Sequence, residues 1–190
     1  MRTATIIRRT SEGWQRRTQL DFDALMGTEK SVGLAMRMPT SFSVVYDYWR
    51  SLQRGGVVRL ADFQPQRLGG LGLPISQVDI DVDNPWHYRF TSYKGIHFQW
   101  MNGKCLADFP VAPVIDECAL EYFECKSGGR PVAHHIQHDL NGFSRDYLRL
   151  LLPLAGDDGS PRALVSVGRH LSIQGPGESS PAIRRGSTKP

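Results

Sequence analysis

The chain has 190 residues, 40% of them hydrophobic and 22% charged, with a formal net charge of +4. That length supports one domain with a core of its own. The small basic excess gives only a weak pull toward acidic partners and argues against a dedicated nucleic-acid binder, and no apolar run approaches the roughly 18 residues of a membrane-spanning helix.

Residues 1–38 read as an irregular N-terminal segment with one weak strand at Thr5 to Arg8, because arginines crowd it and Gly13, Gly27 and Gly33 loosen it. The arginines at the two ends, Arg2, Arg8, Arg9, Arg16 and Arg17 at one and Arg184 and Arg185 at the other, read as solvated tails. The opening Met-Arg-Thr-Ala-Thr-Ile-Ile lacks a signal peptide's apolar stretch, which fits a cytoplasmic protein. The spacing of Phe42, Val45, Trp49 and Leu52 predicts a helix over 41–54, capped by Thr40 and Ser41 and stopped by Gly55-Gly56. Its apolar stripe must dock on something, since a turn-rich stretch cannot bury Phe42 and Trp49 alone.

A connecting loop over 57–72 leads to two predicted strands, Leu73 to Val82 and Trp86 to Tyr93. Asp83-Asn84-Pro85 turns them into a hairpin. Lys94 to Ala112 has no clear period. Pro113 then opens a second helix, with Ile115, Cys118, Ala119, Tyr122 and Phe123 as its apolar face, and Gly128-Gly129 closes it. Three runs follow, Val132 to Leu140, Ser144 to Leu154 and Arg162 to His170, separated by Asn141-Gly142 and by Gly156-Asp157-Asp158-Gly159. They read as a three-stranded antiparallel meander. From Gln174 onward glycine, proline and serine dominate, so residues 173–190 are expected to be a disordered tail. The predicted domain therefore spans 39–172, and the hairpin and meander are expected to join as one sheet with the intervening helical segment over one face.

The chemistry-bearing residues are sparse. Cys105, Cys118 and Cys125 make an odd count with no C-x-x-C, as in a reduced cytosolic protein; Cys118 and Cys125 share a helix face and read as core. His134 and His138 fall on one face of a strand with Val132, Ile136 and Leu140, so they look into the core or a pocket. About 13 Å of strand separates them, too far for one zinc without a bulge. Haem needs an axial imidazole beside a deep cavity, and the helix from Pro113 to Ser127 holds no histidine, leaving His97 as the alternative. Asp79, Asp81, Asp83 and Asn84 resemble the opening of a calcium loop but lack its glycine and terminal glutamate, so a solvated face accounts for them better. There is no G-x-S-x-G, P-loop or H-E-x-x-H, and Gly69-Gly70-Leu71-Gly72 precedes a strand instead of following one. No catalytic set and no metal site are expected. Tyr93, His97, Trp100, His134 and His138 are the expected pocket lining. Arg149 shares its parity with Arg145 and Tyr147, opposite Leu148, Leu150, Leu152 and Leu154, and is expected to face solvent or a partner.

The element order is that of a PAS domain, and several pieces resemble the short, stand-alone bacterial PAS proteins found mainly in alphaproteobacteria. These are Tyr48-Trp49-Arg50-Ser51-Leu52 before the glycine pair, Ala61-Asp62-Phe63-Gln64-Pro65, Leu73-Pro74-Ile75 and His87-Tyr88-Arg89-Phe90. Gly103-Lys104 with Leu106 and Tyr147-Leu148-Arg149-Leu150-Leu151-Leu152-Pro153-Leu154 complete them. The resemblance covers roughly residues 42 to 170. It departs at Thr91-Ser92-Tyr93-Lys94-Gly95-Ile96-His97, where such proteins usually carry a short Gly-Thr turn. It implies an α+β fold, a PAS-like five-stranded antiparallel sheet with helices on one face and a flanking N-terminal helix. It also implies a non-catalytic sensory or regulatory module acting by ligand binding or protein association, with no fixed ligand or cofactor. A homodimer is expected, with Phe42, Tyr46 and Trp49 as its surface and an unknown signalling protein as partner. The alternatives are an enzyme using the sheet cavity, a haem sensor, and a nucleic-acid adaptor using the arginine-rich ends.

Overall fold

A computed structural model describes residues 4–21, 42–94, 101–109 and 112–174. Its frame is one antiparallel sheet of seven strands in the order β1-β2-β5-β6-β7-β3-β4. The strands are β1 (Thr5–Thr10), β2 (Gly13–Leu20), β3 (Ile75–Asp79), β4 (Arg89–Lys94), β5 (Val132–Leu140), β6 (Phe143–Ala155) and β7 (Pro161–Gln174). Among the described residues two α-helices, α1 (Phe42–Ser51) and α2 (Ala112–Gly128), pack on opposite faces.

The hairpin and the meander form as the turn chemistry dictates. Asn141 and Gly142 both take positive φ, 54° and 77°, which matches the right-handed twist of β5 and β6 and sets Leu140 opposite Phe143. Asn84 accepts a hydrogen bond from the Trp86 N–H and starts a short 3-10 turn, Pro85–His87, that feeds β4. β3 then pairs with β7 as well as β4, and this ladder fuses hairpin and meander into one sheet.

Helix α1 buries Phe42, Val45 and Trp49 against the row Leu148, Leu150, Leu152 and Leu154 of β6, with Val165 and Val167 of β7 beside them. Each such side chain contributes about 1.5–3 kcal/mol on burial. The Trp49 indole N–H donates to the Pro153 carbonyl at 2.9 Å, tying the helix to the centre of the sheet. Val58, Phe63, Leu68 and Leu73, from the chain after α1, complete this core. The second core lies on the other face, where Ala119, Tyr122 and Cys125 of α2 meet Val132, Leu151, Leu164 and Val78.

Three expectations are corrected. The sheet has seven strands, where five were expected, because residues 5–20 of the supposedly irregular segment form the β1–β2 hairpin that extends the β5 edge. Charge hid the pattern there: the inward positions of β2 include Gln15 and Arg17, so polar residues stand where apolar ones signal a strand. The sheet carries helices on both faces, where one covered face was expected. Finally, Phe42 and Trp49 are spent on the domain's own core and Tyr46 stacks on Trp49 at 5.9 Å, so this trio does not form a partner surface. The remainder of the N-terminal segment, 22–38, and the tail from 175 onward lie outside the described residues.

Candidate ligand cavity and its charged wall

Alternation along β5 turns Val132, His134, Ile136 and His138 toward α2, and their partners across the ladder, Leu151, Arg149, Tyr147 and Arg145, turn the same way. The expectation that Arg149 meets solvent is therefore wrong. Its parity was read correctly, but that face is roofed by α2, and only 12% of the side chain is exposed. The face that α2 presents also differs from its apolar reading. Cys118, Ala119 and Tyr122 are buried, but Phe123 is exposed, and Glu117 and Glu121 are buried in its place.

Those acids organise a belt of charge between helix and sheet. Arg8 reaches Glu117 at 2.7 Å, and Arg17 lies 3.8 Å from both Glu117 and Glu124. His134 lies 3.7 Å from Glu124 and 3.1 Å from Glu121. Glu121 also receives the Arg149 guanidinium. Three arginines and three glutamates thus alternate, with His134 bridging two acids. Arg149 is held further by the Tyr147 hydroxyl at 3.1 Å, the Cys118 sulfur at 3.1 Å and the faces of the Tyr122 and Tyr147 rings. Burial works to raise the Glu121 carboxyl, but Arg149 and His134 outweigh it and hold the group below its usual range. Burial pushes the Cys118 thiol up despite Arg149, and Cys125 up to about 12, so neither is a ready nucleophile.

Beside the end of this belt lies a cavity of about 340 Å³. The sheet supplies a polar wall: His138, Arg145, Tyr147, Arg149, Ser166 and His170, with Ser76 and Gly168 between them. The rest of the lining is apolar: Phe90 on β4, and Met101, Leu106, Phe109, Val114 and Ile115 from the 101–109 segment and α2. Tyr122 donates to the Ser166 hydroxyl at 3.4 Å across the join. Burial, then Arg145, Arg149 and His170, hold the His138 imidazole down to about 4, and burial with the same two arginines lowers His170. Both rings are therefore neutral at neutral pH.

A larger hollow of about 500 Å³, lined by Asp79, His87, Arg89, Cys105 and Asp108, is a weaker candidate. Its polar groups serve the local turns: Arg89 donates to the Gly103 carbonyl and Asp108 accepts from the Cys105 N–H. The 340 Å³ cavity combines an apolar wall with convergent polar groups, as small-molecule sites do.

Of the expected lining residues, His138 reaches the cavity, while His134 is buried in the charge belt. Tyr93 pairs with Ser76 on β3; its side chain, like His97 and Trp100, lies outside the described residues. Arg145, Arg149 and His170 were missed: the alternation of β6 groups the first two together, but only the register with β5 sets them on the His138 side. Among the described residues no group of three acidic, histidine or cysteine side chains is placed to hold a metal ion. No protein-family model matches the chain, and no curated protein or solved structure matches it significantly.

Proposed function

We propose that this chain is a PAS-like, non-catalytic sensory or regulatory module, cytoplasmic and homodimeric, that binds a small ligand between α2 and the sheet. The observation that carries the proposal is the 340 Å³ cavity, whose lining comes from α2, the 101–109 segment and three adjacent strands of the meander at once. A ligand touching helix and sheet together favours one seating of α2 over others, and that difference in affinity is what shifts a population. Further support comes from β3 to β7, where a hairpin, a helix and a meander close into one antiparallel sheet in the expected order. Among the described residues no helix is long and apolar enough to cross a membrane.

For association, the outer edge of β1 replaces the α1 surface. β1 ends the sheet, all six of its residues are exposed, and Ile6 and Ile7 are among them. An open edge accepts another strand through its backbone groups. Native mass spectrometry of protein taken from its own cells tests both parts. A dimer with a bound small molecule is the expected result, and a bare monomer at micromolar concentration would refute the reading.

A further inference from the structure

A wall of side chains selects the chemistry of what it holds. The cavity lining carries two arginines and two histidines and no carboxylate. Arg149 is already neutralised by Glu121. Arg145 makes no ion pair among the described residues, and its Nε is buried without a hydrogen-bond partner. The Nδ1 atoms of His138 and His170 are buried without partners too, and His138 is only 3% exposed. Leaving one such group unsatisfied costs about 1–3 kcal/mol, and folded proteins keep few of them. Three around one hollow point to an acceptor that is part of the functional state. The apolar part of the lining excludes a ligand that is polar throughout, and 340 Å³ sits at the small end of the roughly 300–1,000 Å³ typical of ligand sites.

We infer that the cavity takes a small amphipathic carboxylate, its anionic head on Arg145, His138 and His170 and its hydrocarbon body along Phe90, Leu106, Phe109 and Ile115. The assignment rests on the cavity being the ligand site. A guanidinium takes a carboxylate through paired N–H donors, and a protonated imidazole donates from both nitrogens. The groups facing the two rings are Arg145, Tyr147 and Arg149 on β6 and each other across the sheet, with Gln15 of β2 opposite His138. On α2, Glu121 is occupied by Arg149 and His134. Burial, and after it the two arginines, keep the rings neutral. A bound anion offsets that field, so the head group and a proton enter together and binding tightens as pH falls.

Octanoate and its neutral isostere octanamide test this on the full chain by titration calorimetry, at about pH 6 and about pH 8, where the free carboxylate stays ionised. Octanoate is expected to bind about tenfold to a hundredfold tighter than octanamide at the lower pH, the span of a charge-assisted hydrogen bond. The preference narrows at the higher pH, and proton uptake appears as a buffer-dependent heat. Arg145→Gln is expected to lose most of this preference, because one of the three head-group contacts is gone. Equal binding of the two by the unmodified protein, or a preference undiminished in folded Arg145→Gln, overturns the head-group assignment while cavity binding stands. If neither compound binds at millimolar concentration, the ligand site itself falls and the assignment with it. Should Arg145→Gln fail to fold, the unmodified protein still decides through the two compounds at the two pH values.

Discussion

Glu121→Gln removes one charge from a side chain that is 1% exposed and leaves its shape intact. In the folded protein one carboxylate oxygen receives Arg149, and the other lies 3.1 Å from His134 Nδ1. Opposite charges at such contact attract by about 5 kcal/mol at an effective dielectric of ~20. Arg149 does not escape by deprotonating; it keeps the Tyr147 hydroxyl and the two tyrosine faces, worth about 1–2 kcal/mol. The net loss is therefore about 3–5 kcal/mol, the usual result of breaking one side of a buried pair. At about 2–4 °C per kcal/mol for a domain of this size, the melting temperature drops by about 10 °C. Urea unfolding followed by circular dichroism at about pH 7 measures the difference directly. The acid limb supplies the sign. A carboxylate held low in the folded state stabilises fully above its unfolded pKa of about 4.3 and loses that contribution as pH falls. The gap between the two proteins should close below about pH 4, and Glu121→Gln/Arg149→Met should recover stability over the single variant, because no charge is then stranded. A single variant within about 1 kcal/mol of the unmodified protein at neutral pH would falsify the buried-pair account, as would a gap that persists undiminished into acid.

His138 is held to about 4 in the fold against 6.5 unfolded, so its neutral burial stabilises above 6.5 and that stability drains away as pH falls toward 4. His138→Gln should flatten the stability profile in that window by up to about 3 kcal/mol, and parallel profiles would count against it. Gly13 takes φ +145°, and a Cβ there would lie 1.9 Å from the Asp139 carbonyl oxygen. Gly13→Ala is expected to cost about 2–3 kcal/mol and to strip hydrogen-exchange protection from β1 and β2 while β6 and β7 keep theirs. Trp49→Phe deletes the indole bond to Pro153 and should cost about 1–3 kcal/mol in urea unfolding. An unchanged midpoint would show that α1 is not anchored through that bond.

Local chemistry made much of this fold legible. The Asn-Gly turn, the stripe of Phe42, Val45 and Trp49, and the leucine row of β6 each obey a rule of spacing, and each stands as read. The glycine pair reads as the stop of α1, but the helix ends at Ser51 and Gly55-Gly56 instead turns the chain between Arg54 and Val57. What stayed hidden shares one cause. Sequence patterning treats a charged residue as a marker of solvent, and this protein buries charge between α2 and the sheet. That is why Arg149 read as outward, why Glu117 and Glu121 did not read as inward, and why β1 and β2 read as loose chain. Partners such as Arg17 and Glu117 lie 100 residues apart in sequence, and no window of neighbouring residues reveals such a pairing. The cavity was half visible: the parity of β5 gave His138, but Arg145, Tyr147 and His170 join it only through strand register.

Gly168 stands on β7 between Arg149 and Pro74 without a positive φ, and nothing lies within 4 Å of where its first side-chain carbon would be. Backbone geometry asks for no glycine there. Part of the hollow's room is thus owed to one missing side chain, and a methyl group at that place would take up space in it without a close neighbour. Capacity in this protein is adjustable at one interior address, separately from the charges that would greet a guest and from the scaffold that surrounds it.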